Sequence, residues 1–311
     1  MLAVNPWAFH AHVEVWLLVA FLIGAYVYAV RVIGPNAVPA GQPAVTGRQI
    51  GWFVGAILTL WVASDWPIHD IGEQYLYSAH MLQHMMLSYF LPPMVLMATP
   101  EWLLRLLIGK GRTYSVLRWM CHPVVAGLTF NLVIMITHVP GVVNHSVKSA
   151  VLHYSLHVLV VTTGLLMWMP VIGPFRELRI GDMGKMIYLF AMSIVPTVPA
   201  GWLVFAEGPV YKVYDIPTRV WGLSVIEDQQ LAAAIMKTGG SIFLWTVIAV
   251  IFFKTLNKQF RRENNDHSYR RDVLTYDAVA EEFERTDAAP DPHAADPSPS
   301  LPAEQRSGGD R

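Results

Sequence analysis

Apolar stretches of about 18–22 residues recur through residues 1–256, each long enough to cross a hydrocarbon core. Inside a bilayer a segment must satisfy its own backbone N–H and C=O groups, so the spans are expected to be helices. Seven can be drawn, at roughly 13–33, 48–65, 79–99, 123–140, 150–169, 185–205 and 230–254. Only 14% of the chain is charged, and much of that charge falls in residues 257–311, which are rich in Asp, Glu, Arg, Pro and Ala. The expected organisation is an all-α, polytopic seven-helix transmembrane domain over 1–256 and a disordered cytoplasmic tail over 257–311. Pro92–Pro93 and the pair Pro196/Pro199 are expected to kink the third and sixth helices. No Lys or Arg and no small-residue cleavage site precede the first apolar run, so that run reads as an uncleaved helix.

Orientation follows from the basic residues. Alternate connections hold Arg31 and Arg48, then Arg105, Lys110, Arg112 and Arg118, then Arg176, Arg179 and Lys185; Lys254, Lys258, Arg261 and Arg262 follow the last span. The opposite connections hold only Lys148, Lys212 and Arg219, against an acidic excess that includes Asp65, Asp70, Glu73, Glu227 and Asp228. The positive-inside rule then puts the N-terminus outside and the C-terminus in the cytoplasm.

With that sidedness, nine of the twelve histidines fall in the extracytoplasmic half. Two pairs are spaced i, i+4: His80/His84 opens the third span and His153/His157 opens the fifth. His69, His138 and His145 lie at the same level, and His10 and His12 precede the first span. Residues spaced i, i+4 share one helical face a turn apart, close enough to hold one metal ion between them. Imidazole in or beside hydrocarbon is costly without a partner, and it is the commonest side-chain ligand for copper and zinc. Met81 and Met85 form a further i, i+4 stripe whose thioethers suit Cu(I), although methionine is also ordinary helix filler.

The metal-site candidates are therefore His80, His84, His138, His153 and His157, followed by Met81, Met85 and Asp228, with Gln83 and Gln229 placed to orient ligands. Lys237 can snorkel outward or pair with Asp228 or Glu227. A single cysteine, Cys121, excludes an internal disulfide and any Cys-based metal motif. No nucleophile constellation, phosphate loop or nucleic-acid motif is present, so the chain does not read as an enzyme.

Several of these segments resemble the Caa3-type CtaG family of cytochrome c oxidase assembly factors. The matching pieces are YSAHMLQHMM at 77–86 followed by Pro92–Pro93, THVP at 137–140, His153 and His157 leading to GLLMWMP at 164–170, and DQQLA at 228–232. Together they cover most of residues 50–250. Many members carry an acidic residue just before the second histidine of the fifth helix; here Leu156 stands there, so the resemblance implies no carboxylate ligand at that position. It implies a multi-pass protein of a bacterial plasma membrane that helps mature a haem–copper oxidase. Joined with the histidine pattern, the expectation is copper bound at the outer face and passed on, with oxidase subunits or a periplasmic copper carrier as partners. Three alternatives stay open: a haem-binding electron-transfer protein with bis-His ligation, a copper or small-solute transporter, and a metal-free scaffold for oxidase subunits.

Overall fold

The computed structural model describes residues 5–273 and 276–287, with side chains omitted for 266–273, 276 and 287. Among these residues every regular element is helical and none is a strand. They fall into two units, one ending at Phe253 and one beginning at Lys254.

The first unit contains α1 (Val13–Ala37), α2 (Gly47–Ser64), the short α3 (Ile68–Gln74) and α4 (Tyr77–Ala98). Then come α5 (Glu101–Ile108), α6 (Arg112–Met120), α7 (Pro123–Thr137), α8 (Pro140–Ser146), α9 (Ala150–Ile172) and α10 (Asp182–Val204). Next, α11 begins at Val225, passes through a π turn at Ile235–Gly239 and continues as Gly240–Val273.

Four helices are long and apolar enough to cross a membrane: Val13–Ala37, Ala150–Ile172, Asp182–Val204 and Val225–Asn265. Two bent pairs bring the number to six if each is one span: α4 with α5, bent by 99°, and α6 with α7, bent by 70°. The segment expected as the second of seven spans is helical, but Arg48 and Gln49 open it and it is not among the candidates. Large apolar side chains such as Phe21, Val151, Trp202 and Phe205 face outward from the bundle. A water-facing protein of this size rarely presents so much apolar surface. The chain is a membrane protein built on apolar helices.

The two proline expectations resolve differently. At Pro92–Pro93 the helix does not stop; a π turn over Met86–Phe90 precedes the prolines and α4 runs on to Ala98. The π turn absorbs the lost i→i−4 hydrogen bonds, and the sharp bend comes later, at Thr99–Pro100. In α10 the regular helix does break, between Ile194 and Thr197, at Pro196.

The expectation of a disordered tail over 257–311 does not describe all of it. The helix continues to Val273, and Tyr276–Asp287 forms α12. No Gly or Pro occurs between Gly240 and Pro290, and Ala, Glu, Arg and Lys are good helix formers, so the composition favours helix here. The part of that expectation covering 288–311 lies outside the described residues.

α4 is the centre of the bundle. Its first half packs on α3 and the start of α11, and its π turn and second half pack on α2 and α9. Close approach depends on two glycines: a Cβ at Gly164 of α9 would lie 2.9 Å from Pro92 Cγ, and one at Gly72 of α3 would lie 2.9 Å from the His80 backbone nitrogen. Below the histidine level a core of Tyr89, Phe130, Trp168, Leu189 and Leu244 fills the bundle. Lys237 reaches neither Asp228 nor Glu227; its Nζ donates to Thr197 Oγ1 at 2.5 Å and Ser193 O at 3.2 Å, tying α11 to α10 across the Pro196 break.

Candidate metal centre

The position of α4 is set by a residue from another helix. Leu76, its N-cap residue, has no side-chain oxygen, so the free N–H groups of the first turn need an acceptor from elsewhere. Asp228 of α11 supplies it: Oδ2 accepts from Tyr77 N at 2.7 Å, and Oδ1 accepts from Ser78 N at 3.0 Å and Ser78 Oγ at 2.5 Å. Both oxygens are engaged and the residue is only 2% exposed. Asp228 therefore caps the helix that bears His80 and His84.

From that fixed end, His80 and His84 point toward His153 and His157 of α9. Ring centroids are 4.5 Å apart for His80/His84, 4.2 Å for His153/His157, 5.1 Å for His84/His157 and 5.6 Å for His80/His153. His80, His84 and His157 each bring one ring nitrogen to within 4.8 Å of the others, the inner group. The buried His80 Nδ1, His84 Nδ1 and His157 Nε2 have no hydrogen-bond partner. An unpaired buried polar atom costs about 1–3 kcal/mol, so three together make this a place where water or a metal ion would be stabilised.

His138 closes the inner end of the cluster, its ring 6.0 Å from that of His84. Its Nδ1 lies 2.6 Å from Ile134 O, and its Nε2 lies 3.4 Å from Met81 Sδ. The Ile134 carbonyl can only accept, so Nδ1 carries the proton and Nε2 keeps its lone pair toward the thioether. Met85, by contrast, packs among Tyr89 and the other core residues and lies against Gly240 of α11. The Met81/Met85 stripe thus splits: one thioether sits beside the histidines and the other fills the core. Gln229 also acts at a distance. It binds Val210 N, Tyr211 N and Tyr211 O, and Tyr211 Oη donates to His138 O at 2.8 Å.

Two residues outside the sequence-derived ligand set, His69 and Glu73, complete the arrangement. α3 brings His69 and Glu73 to His153, and their ligand atoms also lie within 4.8 Å of one another. Glu73 Oε1 is 2.6 Å from His153 Nε2 and 3.3 Å from His69 Nε2. Both are ion-pair contacts without hydrogen-bond alignment, and His153 Nε2 has no hydrogen-bond partner. A carboxylate thus does reach the α9 histidines, from α3 and not from position 156. Burial pulls His69 below its ordinary pKa. Burial alone would raise Glu73, but His153 and His69 outweigh it and hold the carboxyl below its usual range. Gln83, expected to orient a ligand, has Nε2 3.0 Å from His69 Nδ1.

Beyond His69, the ring of His12 packs edge-on at 4.8 Å, and Asp70 joins it to the exposed His10. Seven imidazoles, from His12 through His69, His153, His157, His80 and His84 to His138, therefore form a chain in which each ring centroid is within 6.0 Å of another. His145 is not among them; its Nδ1 turns back on Gly141 O at 2.7 Å. His12 and Glu73 had a sequence signal only in their level relative to the membrane. A cavity of about 660 Å³ between α1, α2, α4 and α9 reaches this cluster at His69, Gln83 and His157 and is otherwise walled mainly by apolar side chains.

Residues 24–258 match the family model of the cytochrome c oxidase caa3 assembly factor (Caa3_CtaG). No curated protein and no solved structure among those compared gives a match. The matched region takes in the helices that carry His69, His80, His84, His138, His153 and His157, and the chain belongs to the cytochrome c oxidase caa3 assembly factor family.

Proposed function

We propose that this assembly factor binds Cu(I) on His80, His84 and His157 and hands it to a haem–copper oxidase during maturation. The observation that carries the reading is the convergence of three buried imidazoles whose unpaired nitrogens have no protein partner. Copper is cargo here, and the chain acts as a carrier and not a catalyst. The donor set favours the monovalent ion. No carboxylate belongs to the inner group, so a bound ion keeps its full charge in apolar surroundings. The cost of burying charge rises with its square, making a divalent ion about four times as expensive as Cu(I). Imidazole accepts Cu(I), and the Met81 thioether beside His138 adds a soft donor next to the site.

The membrane arrangement fits this role. In a bacterial plasma membrane with seven crossings and the N-terminus outside, the histidine chain opens to the extracytoplasmic face, where a periplasmic copper carrier or an oxidase subunit can meet it. The haem reading is weakened by crowding: third and fourth imidazole rings occupy the space a porphyrin needs beside any His pair.

The test is elemental analysis of detergent-purified protein after anaerobic Cu(I) loading, wild type against a His84→Ala/His157→Ala double variant. Stoichiometric copper in wild type and its loss in the variant are the expected results. No copper in either, with oxidase maturation intact, points to a metal-free scaffold, and iron with a Soret band points to haem. Delivery is tested separately: cells lacking this protein should make oxidase depleted in copper, and normal copper content there refutes transfer.

A further inference from the structure

We infer that His69, Glu73 and His153 form a second metal site, distinct from the three-histidine group, that takes a divalent transition cation. The donor atoms lie within 4.8 Å of one another, with the Glu73 carboxylate in contact with both ring nitrogens. His69 is 2% and His153 3% exposed, and His153 Nε2 has no hydrogen-bond partner. Two buried imidazoles fixed around one carboxylate form a nitrogen-and-oxygen donor set suited to Cu(II) or Zn(II) and not to Mg²⁺ or Ca²⁺, which take oxygen ligands.

Charge separates this site from the inner one. Glu73 removes one unit from a bound dication, leaving the same net charge that Cu(I) has among three neutral rings. Its side chain is 29% exposed, so the carboxylate end of the site meets solvent. The site also has an outer layer. Gln83 Nε2 faces His69 Nδ1, while Gln83 Oε1 is buried without a partner. Turning the amide end for end, an orientation assigned from the network, puts an acceptor on His69 Nδ1. Nδ1–H then donates to Gln83, and the Nε2 lone pair faces Glu73, the usual arrangement of a metal-bound imidazole.

The site stands without the copper-carrier reading, since none of its three residues belongs to the inner group. The test uses Cu(II) as the probe on aerobic, detergent-purified full-length protein, read by electron paramagnetic resonance and by titration. Wild type should bind Cu(II) with nitrogen hyperfine structure from two imidazoles. Glu73→Gln, nearly isosteric, should weaken binding by about tenfold or more. The His84→Ala/His157→Ala double variant should keep both affinity and spectrum. The proposal is overturned if wild type shows no bound Cu(II) signal, if Glu73→Gln binds as wild type does, or if the inner double variant loses the signal. The wild-type spectrum needs no variant to fold. Retained Cu(II) with absent Cu(I) binding would sink the carrier reading and leave this site standing.

Discussion

Replacing Asp228 with Asn separates a capping role from a ligand role. In the native structure this carboxylate pairs three buried donors at the start of α4: the N–H groups of Tyr77 and Ser78 and the Ser78 hydroxyl. Asn keeps one carbonyl oxygen, enough for Ser78, and turns an NH₂ toward the Tyr77 N–H. One buried donor is then unpaired, at about 1–3 kcal/mol. Loss of the negative charge at a helix N-terminus adds about 0.3–2 kcal/mol. The sum, about 1–5 kcal/mol, is a sizeable part of the ~5–15 kcal/mol that typically separates folded from unfolded protein. Asp228→Asn should therefore lower the thermal unfolding temperature in detergent, while the folded fraction still binds stoichiometric Cu(I). His80 and His84 remain on the same helical face, so the donors are intact. Unchanged stability with loss of copper would refute the capping argument and return Asp228 to the ligand set.

Two further predictions concern the surroundings of the site. Gly72→Ala would place a methyl group 2.9 Å from His80 N and 3.1 Å from His80 Cα, backbone that cannot give way. It should cost about 1–3 kcal/mol and weaken Cu(II) binding at His69, Glu73 and His153, whereas Gly51→Ala, with open space around it, should change neither; a neutral Gly72→Ala would mean that α3 and α4 are not in this contact. The second concerns pH. Burial lowers the His12 pKa, but hydrogen bonds and charge from Asp70 and Glu14 outweigh it, and the net value lies above the ordinary 6.5. The stabilisation this histidine gives is thus complete below the unfolded value and is lost as pH rises through the folded one. Hydrogen exchange at residues 10–16, corrected for the intrinsic rate, should lose protection across that window in wild type and not in His12→Gln. Flat protection in wild type from about pH 6 to 9, spanning the histidine range, would contradict the pairing.

Sequence alone determined the helical class, the membrane setting and the family. Long apolar runs permit little else, and the i, i+4 spacing of His80/His84 and His153/His157 fixes each pair to one face whatever the rest of the chain does. What tertiary structure alone decided was convergence. Glu73 enters the cluster, and His145 leaves it, because of how short connecting helices turn between spans, which spacing does not encode. Met81 meets His138 while Met85, one turn on, enters the core, because a small rotation of α4 sends its side chains to different neighbours. Asp228 looked like a ligand by its depth, yet it caps a helix 151 residues away in sequence. Local spacing constrains a residue against its own helix; which helix it then faces is settled by packing among all of them.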